Sequence, residues 1–145
     1  MKILLAVDDS KFSQEALKAL IRQISPHNAE VRVLHVVEPI STSAPPQMAA
    51  GYAPELESEM GEARRLVEKA AESLRDAGFS VETAVEQGDV RERIVDDATE
   101  WGADLIIAGS HGRRGIRRFL LGSVAESVAR HAACSVEIVR SPRHE

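Results

Sequence analysis

The sequence predicts an α/β protein built on a parallel sheet with helices on both faces. Three observations predict it: strand-like and helix-like patterns alternate along the whole chain; the runs at 3–7 and 104–108 are almost uniformly apolar; and the connections are helical crossovers rather than hairpins. A strand without polar alternation is one covered on both sides, as in a doubly wound sheet.

Each element has its own justification. Ile3 to Val7 is apolar and strand-length, and Asp8-Asp9-Ser10 breaks it. From Lys11 to Ile24 the residues Phe12, Ala16, Leu17, Leu20, Ile21 and Ile24 recur at three and four, an amphipathic helix stopped by Ser25-Pro26. Val31 to Val37 is β-branched and apolar apart from Arg32 and His35, a second strand. Residues 38–54 hold four of the six prolines with one charge and no period, which reads as a long flexible loop. Its position after the second strand would let it fold over a ligand, or leave it a plain surface excursion.

Leu56, Met60, Ala63, Leu66, Val67, Ala70, Leu74 and Ala77 mark a long helix with Gly78 at its C′ position. Phe79 to Glu86 mostly alternates, as an edge-side strand does. Asp89 with Glu92 opens the next helix, whose stripe is Val90, Ile94, Ala98 and Trp101. The strand at 104–108 leads into a glycine-punctuated, arginine-rich turn, a helix from Ser123 to about His131, and a short strand at 136–140 that could pair with its twin across a two-fold axis.

Length and charge narrow the function. With 145 residues, one domain over 1–145 is expected to fold alone. The net charge of −5 and 3% aromatic content argue against a nucleic-acid or anionic-membrane partner. The single cysteine, Cys134, forms no intramolecular disulfide and lies in no metal-ligand cluster, so no metal site is expected. Five apolar residues before Asp8 are too few for a signal-peptide core, and no run approaches a membrane span, which points to the cytoplasm.

The chemistry concentrates after the fourth strand. Gly109-Ser110-His111-Gly112 is followed, nine residues later, by Gly122-Ser123 at a helix start. Gly109 and Gly112 can take positive φ and let a phosphate approach backbone N–H groups. Ser123 and Glu126 form a capping-box pattern at a helix N-terminus, whose dipole attracts anions. In parallel sheets ligands bind beyond the strands' carboxyl ends where strand order reverses, which places Asp8 and Gly109 on one crevice. As a carboxylate before a helix, Asp8 is equally readable as an N-cap or turn residue.

Arg113, Arg114, Arg117 and Arg118 add four positive charges with no acid between 105 and 125. Together they would draw a polyphosphate, though each alone reads as solvated surface. His111 could contact phosphate or lie exposed, His35 reads as a satisfied core residue, and His131 suits a helix C-terminus.

The dinucleotide fingerprint, the Walker loop and the nucleophile elbow are all absent. Ser110 and His111, as chain neighbours in extended geometry, should diverge, so no catalytic residue is expected. Any Mg²⁺ or Mn²⁺ would arrive with the nucleotide, because no carboxylate cage is visible.

Gly109-x2-Gly112-x9-Gly122-Ser123 is similar to the ATP-binding motif of the universal stress protein family. The opening Ile-Leu-Leu-Ala-Val-Asp-Asp-Ser, Leu34-His35-Val36, Ala103-Asp104-Leu105-Ile106-Ile107 and Leu120 to Glu126 extend the resemblance over nearly the whole chain. The resemblance implies a three-layer, Rossmann-like sheet of five strands in the order 3-2-1-4-5, of the adenine-nucleotide α-hydrolase-like superfamily. It also implies ATP as ligand. Asp8 would hold the ribose or adenine edge and Val36 the adenine, and Gly109, Gly112, Gly122 and Ser123 the phosphates. Ser110, His111, Arg113 and Val124 border the same motif.

The function expected is that of a nucleotide-dependent stress-response homodimer with at most slow ATP hydrolysis. A nucleotide-independent interaction module is one alternative. An ATP-processing enzyme of the superfamily is another, although the Ser-Gly-Gly-x-Asp-Ser and His-x-Gly-His signatures of such enzymes are missing.

Overall fold

A computed structural model describes residues 1–39, 46–112 and 121–141. Five strands, β1 (Lys2–Ala6), β2 (Glu30–Val37), β3 (Ser80–Gln87), β4 (Leu105–Gly109) and β5 (Ser135–Val139), alternate with four α-helices. The helices are α1 (Lys11–Gln23), α2 (Pro46–Asp76), α3 (Val90–Trp101) and α4 (Ser123–His131). All strand pairs are parallel and the order is β3-β2-β1-β4-β5. Sequence order therefore reverses between β1 and β4, where Ile3, Leu4 and Leu5 pair with Leu105, Ile106 and Ile107.

The apolar runs occupy the centre, as expected of strands with no wet face. Ile3, Leu4 and Leu5 are fully buried, and successive residues serve opposite layers. Ile3 and Leu5 join Ala16, Leu20, Val67 and Leu74 beneath α1 and α2. Leu4 joins Leu34, Ile94, Ile106 and Val128 beneath α3 and α4.

Helix ends follow local chemistry. Ser10 caps α1 by accepting the Ser13 N–H at 3.2 Å, and Asp89 caps α3 by accepting that of Glu92, also at 3.2 Å. Past α2 and α3 stand Gly78 and Gly102, at φ 98° and 82°. The next N–H groups, of Phe79 and Ala103, reach back to Leu74 and Ala98, which closes both helix ends in the Schellman manner.

The stretch expected as a loop at 38–54 is corrected over its second part: α2 already begins at Pro46. Proline suits a first helical position because its missing N–H has no role there, and Gln47, Met48, Ala49 and Ala50 are good helix formers that outweigh Gly51 and Pro54. Residues 40–45 lie outside the described ones. The fourth and fifth strands each sit one residue from their expected bounds, at Leu105–Gly109 and Ser135–Val139. Among the described residues no helix is long and apolar enough to cross a membrane.

Candidate functional site

The carboxyl ends of β1 and β4 carry Asp8 and Gly109 to the switch in strand order. Val7 is fixed first: its N–H donates to the Leu34 carbonyl at 2.9 Å, while its own carbonyl meets His35 Nδ1 at 2.7 Å. His35 is thus a satisfied histidine, as its sequence position suggested.

Asp8 is held by its own turn. Its N–H donates to Ser13 Oγ at 3.0 Å and its Oδ1 accepts the Ser10 N–H at 2.8 Å. The cap of α1 is Ser10, so Asp8 makes an Asx-type turn that aims its second oxygen at Gly112. A β-carbon on Gly112 would lie 3.2 Å from Asp8 Oδ2.

Neither Gly109 nor Gly112 uses the positive φ expected of it, since Gly78, Gly88 and Gly102 are the positive-φ glycines among the described residues. What Gly109 supplies is space, because a β-carbon there would sit 2.7 Å from both the carbonyl carbon and oxygen of Phe12. Gly122 does the same on the far side, with Ser110 O and His111 Cα each 3.1 Å from its would-be β-carbon. Its N–H donates to Ser110 O at 2.8 Å, and the Ser110 N–H donates to Val139 O at 2.8 Å. Strand end, helix start and β5 are thereby tied at Ser110.

Ser110 is 2% exposed, and its side chain meets that of His111 instead of diverging: Oγ lies 3.1 Å from His111 Nδ1. A one-residue separation permits this because β4 has already ended at Gly109. The His111 ring also packs on Phe12, with centroids 5.1 Å apart, and its Nε2 is buried with no hydrogen-bond partner among the described residues. The tautomer with Nδ1–H donating to Ser110 leaves only an acceptor unmet, which costs less than an orphaned N–H.

The capping box expected at Ser123 is not formed. Gly122 is the N-cap of α4, with no side-chain cap bond, and exposed Ser123 is the first helical residue. Glu126 donates its N–H to the Gly122 carbonyl and places a carboxylate in the first turn. Val124 packs its side chain against the α3/α4 core, leaving its backbone as the part at the helix start. Val36, next to last in β2, lies in the same layer, 7% exposed.

Gly112 and the α4 start therefore stand together at the carboxyl ends of neighbouring strands. The helix-start N–H groups have no side-chain cap, and Gly112 keeps clear a place that any side chain would fill. Those are the requirements of a phosphate cradle.

Arg113, Arg114, Arg117 and Arg118 lie outside the described residues. At the other end of α4, His131 Nδ1 contacts the Ser127 carbonyl at 2.8 Å, as its place near a C-terminus suggested. Phe12 is the residue that sequence reasoning passed over. It was legible only as part of an apolar stripe, whereas its backbone faces Gly109, its ring packs on His111, and Lys11 Nζ lies 5.3 Å from that ring's centroid.

Fold and site together define a Rossmann-like α/β protein in which Gly112 and the start of α4 lie where the strand order reverses between β1 and β4. The chain belongs to the universal stress protein family, whose family model matches residues 1–140. Universal stress protein MJ0531 of Methanocaldococcus jannaschii is 36% identical over 99% of this chain and 84% of its own length. The solved structure of universal stress protein UspA from Lactobacillus plantarum is 25% identical, covers 97% of each chain and superposes with a TM-score of 0.86. A universal stress protein crystallised in complex with cAMP is also 25% identical, covers 98% of each chain and has a TM-score of 0.72.

Proposed function

We propose that residues 1–145 act as one unit that binds an adenine nucleotide, ATP above all, and that the bound state sets the conformation or partner choice of a cytoplasmic stress-response homodimer. The observation that carries this reading is the α4 start, free of a side-chain cap and set beside Gly112 at the crevice. Phosphates would lie against Gly112 and the backbone of Gly122, Ser123 and Val124, where N–H groups and the helix dipole favour negative charge. Arg113 and its neighbours would add charge at the rim. Asp8 would take a ribose hydroxyl or the adenine edge through Oδ2, and Val36 would flank the base. The cAMP complex of a relative supports an adenine nucleotide as the ligand class.

Gly109, Ser110 and His111 act behind this surface, holding its parts in place. Mg²⁺ or Mn²⁺ would come with the triphosphate. No general base is assigned, so turnover would be slow at most. β5 is an edge strand of the sheet, and pairing with its twin would make the dimer.

Calorimetric titration with ATP, ADP, AMP and cAMP tests the ligand. Saturable ATP binding that weakens in Gly112→Val supports the reading, and no heat with any of the four overturns it. Light scattering on the purified chain tests the dimer.

One observation favours a second reading, a nucleotide-independent interaction module. Gly109 and Gly122 are demanded by packing alone, with or without a ligand. Mass spectrometry of material released from the denatured protein separates the two, since the second reading expects no adenine nucleotide.

A further inference from the structure

The strand order leaves β3 at one edge of the sheet, opposite β5. It is the longer edge, eight residues against five, and it pairs with β2 without a bulge from Glu30 and Ser80 to Val37 and Gln87. It holds no proline or lysine, the residues that commonly blunt an exposed edge. Its two acids do not guard it either, because both are committed on the α3 face. Glu82 accepts from Arg32 Nη1 at 2.9 Å and Glu86 from Arg93 Nη2 at 3.1 Å. Arg32 at the same time grips Asp97 of α3 with two prongs, Nε to Oδ2 at 2.8 Å and Nη2 to Oδ1 at 3.1 Å.

The Gly88 N–H donates to the Val37 carbonyl at 3.1 Å, which sets the phase of the β2–β3 ladder. Residues of a parallel ladder alternate between bonding the neighbour and facing away. Ala84 and Glu86 therefore bond β2, while Val81, Thr83 and Val85 turn their N–H and C=O groups to the open side. Among the described residues nothing pairs with those groups.

Beside them lies a cleft of about 530 Å³, between Thr83 and Val85 on β3 and Met60, Arg64, Arg65 and Val67 on α2. Part of its lining is apolar: Val67 is buried and Val85 packs on the same core. The rest is cationic. Arg64 and Arg65 are exposed and have no ion-pair partner among the described residues, whereas Arg32, Arg75, Arg93 and Arg130 are all paired. Glu68 also reaches the cleft, but its Oε1 is taken by Arg75 Nη1 at 2.6 Å.

A row of open backbone groups beside an apolar slot and two uncommitted arginines suits an extended peptide with acidic side chains. A second copy of this chain suits it badly. Two β3 strands paired antiparallel about a two-fold axis would put both copies of Arg64 and Arg65 on one face of the joined sheet and the glutamates of both on the other. Like charges would then meet on each side.

We propose that the free edge of β3 is a docking strand for an extended, acidic segment of another protein. The segment adds to the sheet through the backbone of Val81, Thr83 and Val85, seats an apolar side chain against Val67 and Val85, and lays a carboxylate on Arg64 and Arg65. Alternate residues carry the specificity, since one face of an added strand looks into the cleft.

A fluorescein-labelled peptide, Thr-Val-Thr-Glu-Thr-Val-Thr-Glu, titrated with the full chain and read by anisotropy, tests the proposal. Saturable binding is expected, weakened about tenfold or more when lysine replaces the peptide's glutamates or when Arg64→Glu and Arg65→Glu are combined. Thr83→Pro removes an outward N–H and no ladder bond, and should abolish binding. Hydrogen exchange is the independent readout and needs no variant: bound peptide should slow the Thr83 and Val85 amides. No saturable binding, equal binding of the lysine peptide, or unprotected Thr83 and Val85 amides overturns the proposal. So does displacement of the peptide by an equal concentration of glutarate, which would make the cleft a small-anion site. A dimer that Thr83→Pro dissociates overturns it too, by giving the edge to a second copy.

Discussion

Gly109 meets the backbone of Phe12 so closely that a β-carbon would lie 2.7 Å from the Phe12 carbonyl. The first glycine of the motif is thus a packing residue: it lets α1 settle over the end of β4. Backbone cannot move aside as a side-chain tip can, so Gly109→Ala should lower stability by about 1–3 kcal/mol, the usual cost of overpacking. Urea unfolding checks it, with a lower midpoint at unchanged slope expected.

Gly112 should behave in the opposite way. Its nearest obstacle is the Asp8 carboxylate, 3.2 Å from a would-be β-carbon. Gly112→Val should leave the melting temperature near that of the parent and weaken ATP binding about tenfold or more, by removing charge-assisted contacts and close backbone approach. A parallel loss of binding and stability would instead make Gly112 a packing glycine like Gly109 and Gly122.

Arg32→Met should be among the most damaging single changes. It strips the two-pronged partner from Asp97, which is 2% exposed, and removing one member of a buried pair costs about 3–5 kcal/mol. The link to the half-exposed Glu82 adds little. Arg32→Met combined with Asp97→Leu should recover much of the loss, because no unpaired charge is then buried; chemical denaturation of the double-mutant cycle measures the recovery.

Asp89→Ala should cost about 1 kcal/mol by uncapping α3. The Glu92 N–H holds the Asp89 pKa below the ordinary 3.8. A depressed folded pKa contributes stability that is complete above 3.8 and disappears as pH falls through the folded value. The difference in melting temperature between parent and variant should therefore be constant near neutrality and shrink in strong acid.

Much of this molecule can be read from its pattern of apolar residues. Ile3, Leu4 and Leu5 announce a central strand because a residue covered on both faces has no reason to alternate. Asp89 starts a helix and Gly78 ends one by rules that need no tertiary information. The opening of α2 was less legible, because a cluster of prolines resembles a loop whether or not one of them starts a helix. At the site, the spacing of Gly109, Gly112 and Gly122 marked the location, but not the reason for each glycine. The Phe12 carbonyl that presses on Gly109 comes from a helix about a hundred residues earlier in the chain, and no local signal reports such an approach. Ser123 was misread as the cap because a serine before an acid three residues on satisfies the pattern equally well one position too late.

The hydrogen bond from Gly122 to Ser110, with Ser110 anchored in turn to Val139, makes the crevice tolerant of variation. It fixes the two rims to each other through backbone groups, independently of the sequence between them. Closing a longer segment costs only slightly more entropy, roughly 0.6 kcal/mol per doubling. Insertions or charge changes between 113 and 120 would therefore leave the Gly122–Ser110 bond in place and, on the function proposed above, alter the charge offered to the ligand without rebuilding the sheet.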